Sequence, residues 1–119
     1  MPDANGNLDL FSSATPVPGV VVAAVRGEID LHNSSLIRTD LIATLQSHRP
    51  RKLILNLERV PYMDSSAIAI LVEMLKEMRK LGGQLVLADL QPRVKGLLEI
   101  ARLDAIFTIC GTEAEALAR

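Results

Sequence analysis

The stretch Lys52-Leu53-Ile54-Leu55-Asn56-Leu57-Glu58-Arg59-Val60-Pro61-Tyr62-Met63-Asp64-Ser65-Ser66-Ala67 decides the architecture. Its first six residues form a short apolar run, the pattern of a central strand covered on both faces. A loop holding Pro61 follows, and then Asp64-Ser65-Ser66, whose oxygens suit the free N–H groups of a helix's first turn. Ile68, Leu71, Val72 and Leu75 recur at spacings of three and four, which predicts a helix from about Ser65 to Lys80 with those four as its core stripe. Leu81-Gly82-Gly83 ends it, because glycine supplies the left-handed cap. Gln84-Leu85-Val86-Leu87-Ala88 is the next strand, so the centre of the chain is a strand–helix–strand unit.

The pattern extends in both directions. Upstream, Leu8 to Ala14 is expected as a first strand, Thr15-Pro16-Val17-Pro18-Gly19 as a turn, and Val20 to Val25 as a β-branched strand closing a hairpin. Ile37, Leu41 and Leu45 share one helical face, which predicts a helix from Ser34 or Ser35 to about Gln46. Downstream, Pro92 opens a helix running through Leu97, Leu98 and Ile100. Ile106 to Ile109 reads as a last strand, followed by a small helix carrying Ala114, Leu117 and Ala118. The order β-β-α-β-α-β-α-β-α implies a mixed, mainly parallel sheet of four to five strands with about four helices. The helices are expected to cover one face well and leave the other more open. Residues 1–7 read as a flexible polar tail and residues 8–119 as a single domain.

Composition narrows the function classes. With 119 residues, a hydrophobic fraction of 49% and a charged fraction of 23%, the chain is an ordinary globule. Thirteen Lys+Arg against fourteen Asp+Glu leave a formal charge of -1, and only 3% of residues are aromatic. Neither a broad nucleic-acid footprint nor a base-stacking platform is expected. One cysteine, Cys110, excludes an internal disulfide and a multi-cysteine zinc site. His32 and His48 lack ligand spacing, so no metal or cofactor is expected. No apolar run is long enough to span a bilayer, and the polar start has no secretory pattern, which makes a cytoplasmic location the expectation.

The candidate site is Asp64-Ser65-Ser66. Capping alone explains these residues, and one of them can also do chemistry only if its hydroxyl stays accessible. At about 100° per residue, the stripe chosen above puts Ser65 near Val72 on the core side. Ser66 then falls in line with Ile70, Glu73 and Glu77, making it the expected outward hydroxyl. A phosphate on Ser66 would meet the positive end of the helix dipole and the repelling charge of Asp64. Ile70 and Met74, flanked by Ala67 and Leu81, read equally well as a broad core face or as an apolar docking strip beside Ser66. No Gly-x-Ser-x-Gly elbow, convincing histidine base or Walker-type loop accompanies the serines, so the chain is not expected to be an enzyme.

The stretch from Lys52 to Ala67 resembles the signature of the STAS domain family: an apolar strand, a loop, then Asp-Ser-Ser/Thr-Gly at a helix start. Gly27-Glu28-Ile29-Asp30-Leu31 resembles that family's Gly-Glu-hydrophobic-Asp loop, and Leu81 to Leu87 its next helix exit and strand. The resemblance runs over about residues 8 to 118. It includes bacterial anti-sigma factor antagonists and the cytoplasmic ends of sulfate transporters. It implies an α/β STAS-like domain that binds an anti-sigma factor with GHKL-type serine kinase activity while unphosphorylated, and so frees a sigma factor. Ser66, or alternatively Ser65, is then the phosphorylated residue. Asp30, Asp64, Ser65, Ser66, Ala67, Ile70, Glu73 and Met74 are the expected partner surface. Ala67 stands where the family has glycine; it favours a helix by about 1 kcal/mol and adds a methyl at the expected contact. A soluble accessory subunit of a membrane transport complex and a scaffold of a stress-signalling assembly are the alternatives, and a homodimer stays open.

Overall fold

A computed structural model describes residues 10–119. The expected tail 1–7 and the start of the first strand at Leu8 lie outside the described residues. Five strands, β1 (Phe11–Val17), β2 (Val20–Arg26), β3 (Lys52–Arg59), β4 (Gln84–Ala88) and β5 (Thr108–Cys110), form one sheet in the order β1-β2-β3-β4-β5. The first pair is antiparallel and the rest are parallel. Four helices, α1 (Ser34–His48), α2 (Ser65–Lys80), α3 (Pro92–Ile100) and α4 (Glu113–Ala118), complete the fold.

The strand order dictates where the helices go. Each parallel strand lies next to its predecessor, so every crossover steps across the sheet in the same direction. Right-handed crossovers then put α1, α2 and α3 on one face. The β-strand period of two sorts the side chains accordingly. Val21, Ala23, Val25, Leu53, Leu55, Leu57, Leu85 and Leu87 pack with these helices, while Val20, Val22, Ile54, Val86, Ala88 and Cys110 form a smaller cluster with Ala116 of α4. Asymmetric coverage agrees with the expectation from the sequence. Lys52, at the start of β3, is buried and donates from Nζ to the carbonyls of Ala116 (2.9 Å) and Arg119 (2.7 Å), which fastens α4 across the second face.

Several boundaries differ from the sequence reading. β1 continues through Thr15-Pro16-Val17, and its register slips between Ala14 and Val17. Pro16 is tolerated because β1 is an edge strand that can spare a donor. The turn is therefore shorter, Pro18-Gly19, with Gly19 at φ 81. The last strand begins at Thr108, because residues Leu103–Ala105 wind into a 3-10 turn that leaves Ile106 exposed. Glycine is required at position 83, where a Cβ would stand 2.7 Å from the Arg51 carbonyl oxygen.

The largest correction concerns α2. Its buried residues are Ala67, Ile70, Leu71, Met74, Leu75 and Met78, whereas Ile68 and Val72 are only partly buried. The face turned to the sheet is rotated by about 80° from the stripe centred on Ile68 and Leu75. Ile70 and Met74 are 6% and 0% exposed, so they are core and not a docking strip.

Candidate functional site

The loops after β2 and β3 are joined by main-chain hydrogen bonds. Gly27 N–H donates to the Arg59 carbonyl (2.9 Å), Ile29 N–H to that of Tyr62 (3.1 Å), and Asp64 N–H to that of Ile29 (3.1 Å). Ile29 and Met63 pair as an isolated parallel bridge, and both side chains are buried. These apolar anchors set Asp30 and Asp64, the next residue in each loop, beside one another at the same end of the sheet.

Asp30 organises its own loop. Its Oδ1 accepts from His32 N–H (2.8 Å) and its carbonyl from Ser34 N–H (2.9 Å), while its N–H donates to Asn33 Oδ1 (3.0 Å). Asn33 Nδ2 reaches back to the Glu28 carbonyl at 2.7 Å. This knot turns the chain into α1 and leaves Leu31 78% exposed at its tip.

Asp64 is the N-cap of α2, in extended backbone conformation. Its Oδ1 accepts from Ser66 N–H (2.9 Å), from the Ser66 hydroxyl (2.5 Å) and, at longer range, from Ala67 N–H (3.4 Å). The Ser66 hydroxyl is the main reason the Asp64 carboxyl titrates below its ordinary value; the N–H groups of Ser66, Ala67 and Leu31 add to it, against an opposing contribution from burial. The link between the start of α2 and the neighbouring loop is the main-chain bond from Asp64 N–H to the Ile29 carbonyl.

The rotation of α2 changes the reading of the two serines. Ser65 is exposed and Ser66 is partly buried, the reverse of the expected order. With the core centred on Ala67, Leu71 and Met74, Ser65 points away from the sheet and Ser66 lies on the flank. Ala67 is 2% exposed, so its methyl packs inward and does not meet an approaching partner.

Glu73 lies on the same flank, against α1. Arg38 of α1 grips it with two hydrogen bonds, 2.7 Å to Oε1 and 2.6 Å to Oε2. The pairing lowers the Glu73 pKa and raises that of Arg38. Glu77 pairs with Lys80 at 2.9 Å. The expected acidic line is therefore neutralised within the domain. The exposed apolar side chains of this region belong to Leu31 and to Leu36, which is 63% exposed. The sequence carried a signal for Leu36, which stands outside the Ile37, Leu41, Leu45 face; Leu31, two residues after buried Ile29, would share its side in an extended chain and is exposed because the chain turns at Asp30 and Asn33.

Among the described residues no cluster of three or more His, Cys, Asp or Glu is placed to hold a metal, and no helix is long and apolar enough to cross a membrane. Cys110 is buried.

A five-stranded sheet with three helices on one face, and with a capped helix start beside the loop after β2 at one end, defines a small α/β domain. The STAS domain model matches residues 12–116, and the chain belongs to the STAS domain family. It is 29% identical over 99 residues to an anti-sigma F factor antagonist of Paenibacillus polymyxa, covering 83% of this chain and 85% of that one. The fold superposes with a TM-score of 0.84 on a Thermotoga maritima protein assigned as an anti-sigma factor antagonist, at 25% identity and covering 92% and 93% of the two chains. The Bacillus cell fate determinant SpoIIAA, solved in its phosphorylated form, superposes at 0.71 with 25% identity, covering 92% and 97%.

Proposed function

We propose that this chain is an anti-sigma factor antagonist whose binding is controlled by phosphorylation of Ser66. The hydrogen bond from the Ser66 hydroxyl to Asp64 at the start of α2, beside exposed Leu31, is the observation that carries this reading. Asp64 orients the hydroxyl and is placed to accept its proton, leaving the Oγ lone pairs for an incoming phosphoryl group. The donor is ATP held by the partner, an anti-sigma factor with GHKL-type serine kinase activity. The unphosphorylated surface, with Leu31 and Leu36 as apolar contacts and Asp30, Asp64, Ser65 and Ser66 as the polar ones, binds that partner and frees its sigma factor. The chain itself acts by binding and not by catalysis.

Phosphorylation adds about −1.5 to −2 charges next to Asp64. The helix N-terminus offsets roughly 0.3–1 kcal/mol of this, so the domain stays folded. Drying Leu31 against a partner beside that charge becomes costly. A few kcal/mol lost there weakens binding by roughly a hundredfold or more.

Incubation with the cognate kinase and ATP, followed by phosphopeptide mapping, tests this. The label is expected on Ser66, with Ser66→Ala binding constitutively and Ser66→Asp binding poorly. A label confined to exposed Ser65 transfers the acceptor role to that residue. No label on either serine, with an active kinase, removes the switch.

A further inference from the structure

The end of the sheet that carries Asp64 and Leu31 extends along the loop after β3 to the start of α3. Gln91, the residue before α3, donates from Nε2 to the Glu58 carbonyl at 2.8 Å, which sets the start of that helix against the loop. In the same loop Tyr62 accepts at its carbonyl from Ile29 N–H and stands two residues before Asp64. Tyr62 is partly buried, and exposed Arg93 of α3 lies over its ring, with the guanidinium carbon 4.7 Å from the centroid. A cation on an aromatic face is attracted by the ring quadrupole and uses no hydrogen bond. Among the described residues Arg93 makes no ion pair and no side-chain hydrogen bond, and no acidic residue lies in the first turn of α3. The N–H donors of its guanidinium therefore stay open to a ligand, on a side chain whose freedom the ring already restricts.

We propose that Arg93, held by Tyr62, is a specificity contact for the anti-sigma factor and takes a carboxylate side chain of that protein; this rests on the function proposed above. The guanidinium fork matches the two oxygens of a carboxylate. The charge pattern selects this occupant. Asp30 and Asp64 stand beside one another at the same end of the sheet, each following one residue of the Ile29–Met63 bridge. A partner acidic throughout would be repelled by the two aspartates, and one basic throughout would be repelled by Arg93. A partner surface of mixed sign, with a carboxylate set apart from its basic groups, satisfies both and docks in one orientation only. Tyrosine and arginine are also the side chains that most often carry the binding energy of an interface.

Calorimetric titration of the full chain into the cognate anti-sigma factor tests the contact, with Ser66→Asp as the reference for a switched-off surface. Arg93→Gln should weaken binding by about tenfold or more, and Arg93→Lys should recover only part of the loss, since an ammonium has no fork. Tyr62→Phe keeps the ring and should bind as the wild type does, whereas Tyr62→Leu releases Arg93 and should weaken binding. Arg93→Glu should bind worst and should be rescued by one acidic-to-lysine substitution on the partner's contact surface. In phosphoryl transfer from the partner's ATP, Arg93→Gln should raise KM for this chain and leave kcat unchanged. Equal binding by wild type and Arg93→Gln, with Ser66→Asp failing to bind, overturns the contact and leaves the switch standing. A wild-type chain that does not bind the anti-sigma factor overturns both. A loss confined to kcat would assign Arg93 to the phosphates of ATP and overturn the carboxylate, as would the absence of any rescuing substitution.

Discussion

Asp64 does two jobs with one carboxylate, capping α2 and holding the Ser66 hydroxyl, and both depend on its charge. Its folded pKa is lowered, so its contribution to stability is present above the unfolded value, roughly 3.9, and is lost as pH falls through the folded one. Asp64→Asn keeps a capping oxygen but no charge. The stability gap between wild type and this variant should be widest near neutrality and close below about pH 4; urea titrations across that range measure it, and a gap independent of pH would contradict the assignment. Ser66→Ala removes the largest cause of the lowered pKa. The Asp64 carboxyl in that variant should titrate closer to an ordinary aspartate, which carbon-detected NMR reads directly, whereas Ser65→Ala should leave it nearly unchanged. The motif Asp64-Ser65-Ser66 was visible in the sequence as a helix start and as a candidate site. Which serine is exposed was not, because that depends on a rotation of α2 set by contacts far along the chain.

The rotation of α2 is explained by its side chains. Ile68 and Val72 look like natural core residues, and centring the stripe on them pushes Ile70 and Met74 outward. In the fold the sheet receives Ala67, Leu71, Met74 and Met78, at steps of four, three and four. A small alanine at the first turn lets the backbone approach the sheet, and unbranched methionines fill the gaps lower down. No count of apolar residues reveals this, since α2 carries apolar groups around more than half its circumference. Met74→Ala should cost about 2–5 kcal/mol as a buried truncation, and Ile68→Ala clearly less; chemical denaturation of the two variants separates the two phases of the helix. Equal losses would restore the original stripe. The Arg38–Glu73 clamp lies between two helices at partly exposed positions. Charge reversal at Glu73 alone should therefore disturb α1–α2 packing slightly, with an effect that fades in high salt, before it changes partner preference. Thermal melts of Glu73→Lys at low and high salt check this.

At the scale of the whole molecule, the fold was legible because strand and helix periods alternate cleanly from Val20 onward. The ends were less so. Pro16 looked like a turn because proline breaks central strands, yet β1 is an edge, and edge position is a tertiary fact. The role of Lys52 was also hidden: a lysine opening an apolar strand looks solvent-facing until α4 folds back over it. Lys52→Met should raise amide exchange throughout α4 while β3 and β4 stay protected, since the carbonyls of Ala116 and Arg119 lose their donor and the sheet does not. Exchange rising equally in the sheet would show that Lys52 supports the global fold instead. The strand order has a consequence for biosynthesis. Each strand's first neighbour is the one made just before it, so a chain leaving the ribosome never has to hold an unpaired strand in wait for a distant mate. Assembly can proceed as a vectorial addition, hairpin first, each helix closing over the sheet as the next strand emerges, with α4 as the final fastening. A chain stalled in translation after β4 and α3 should already exert folding force on the ribosome.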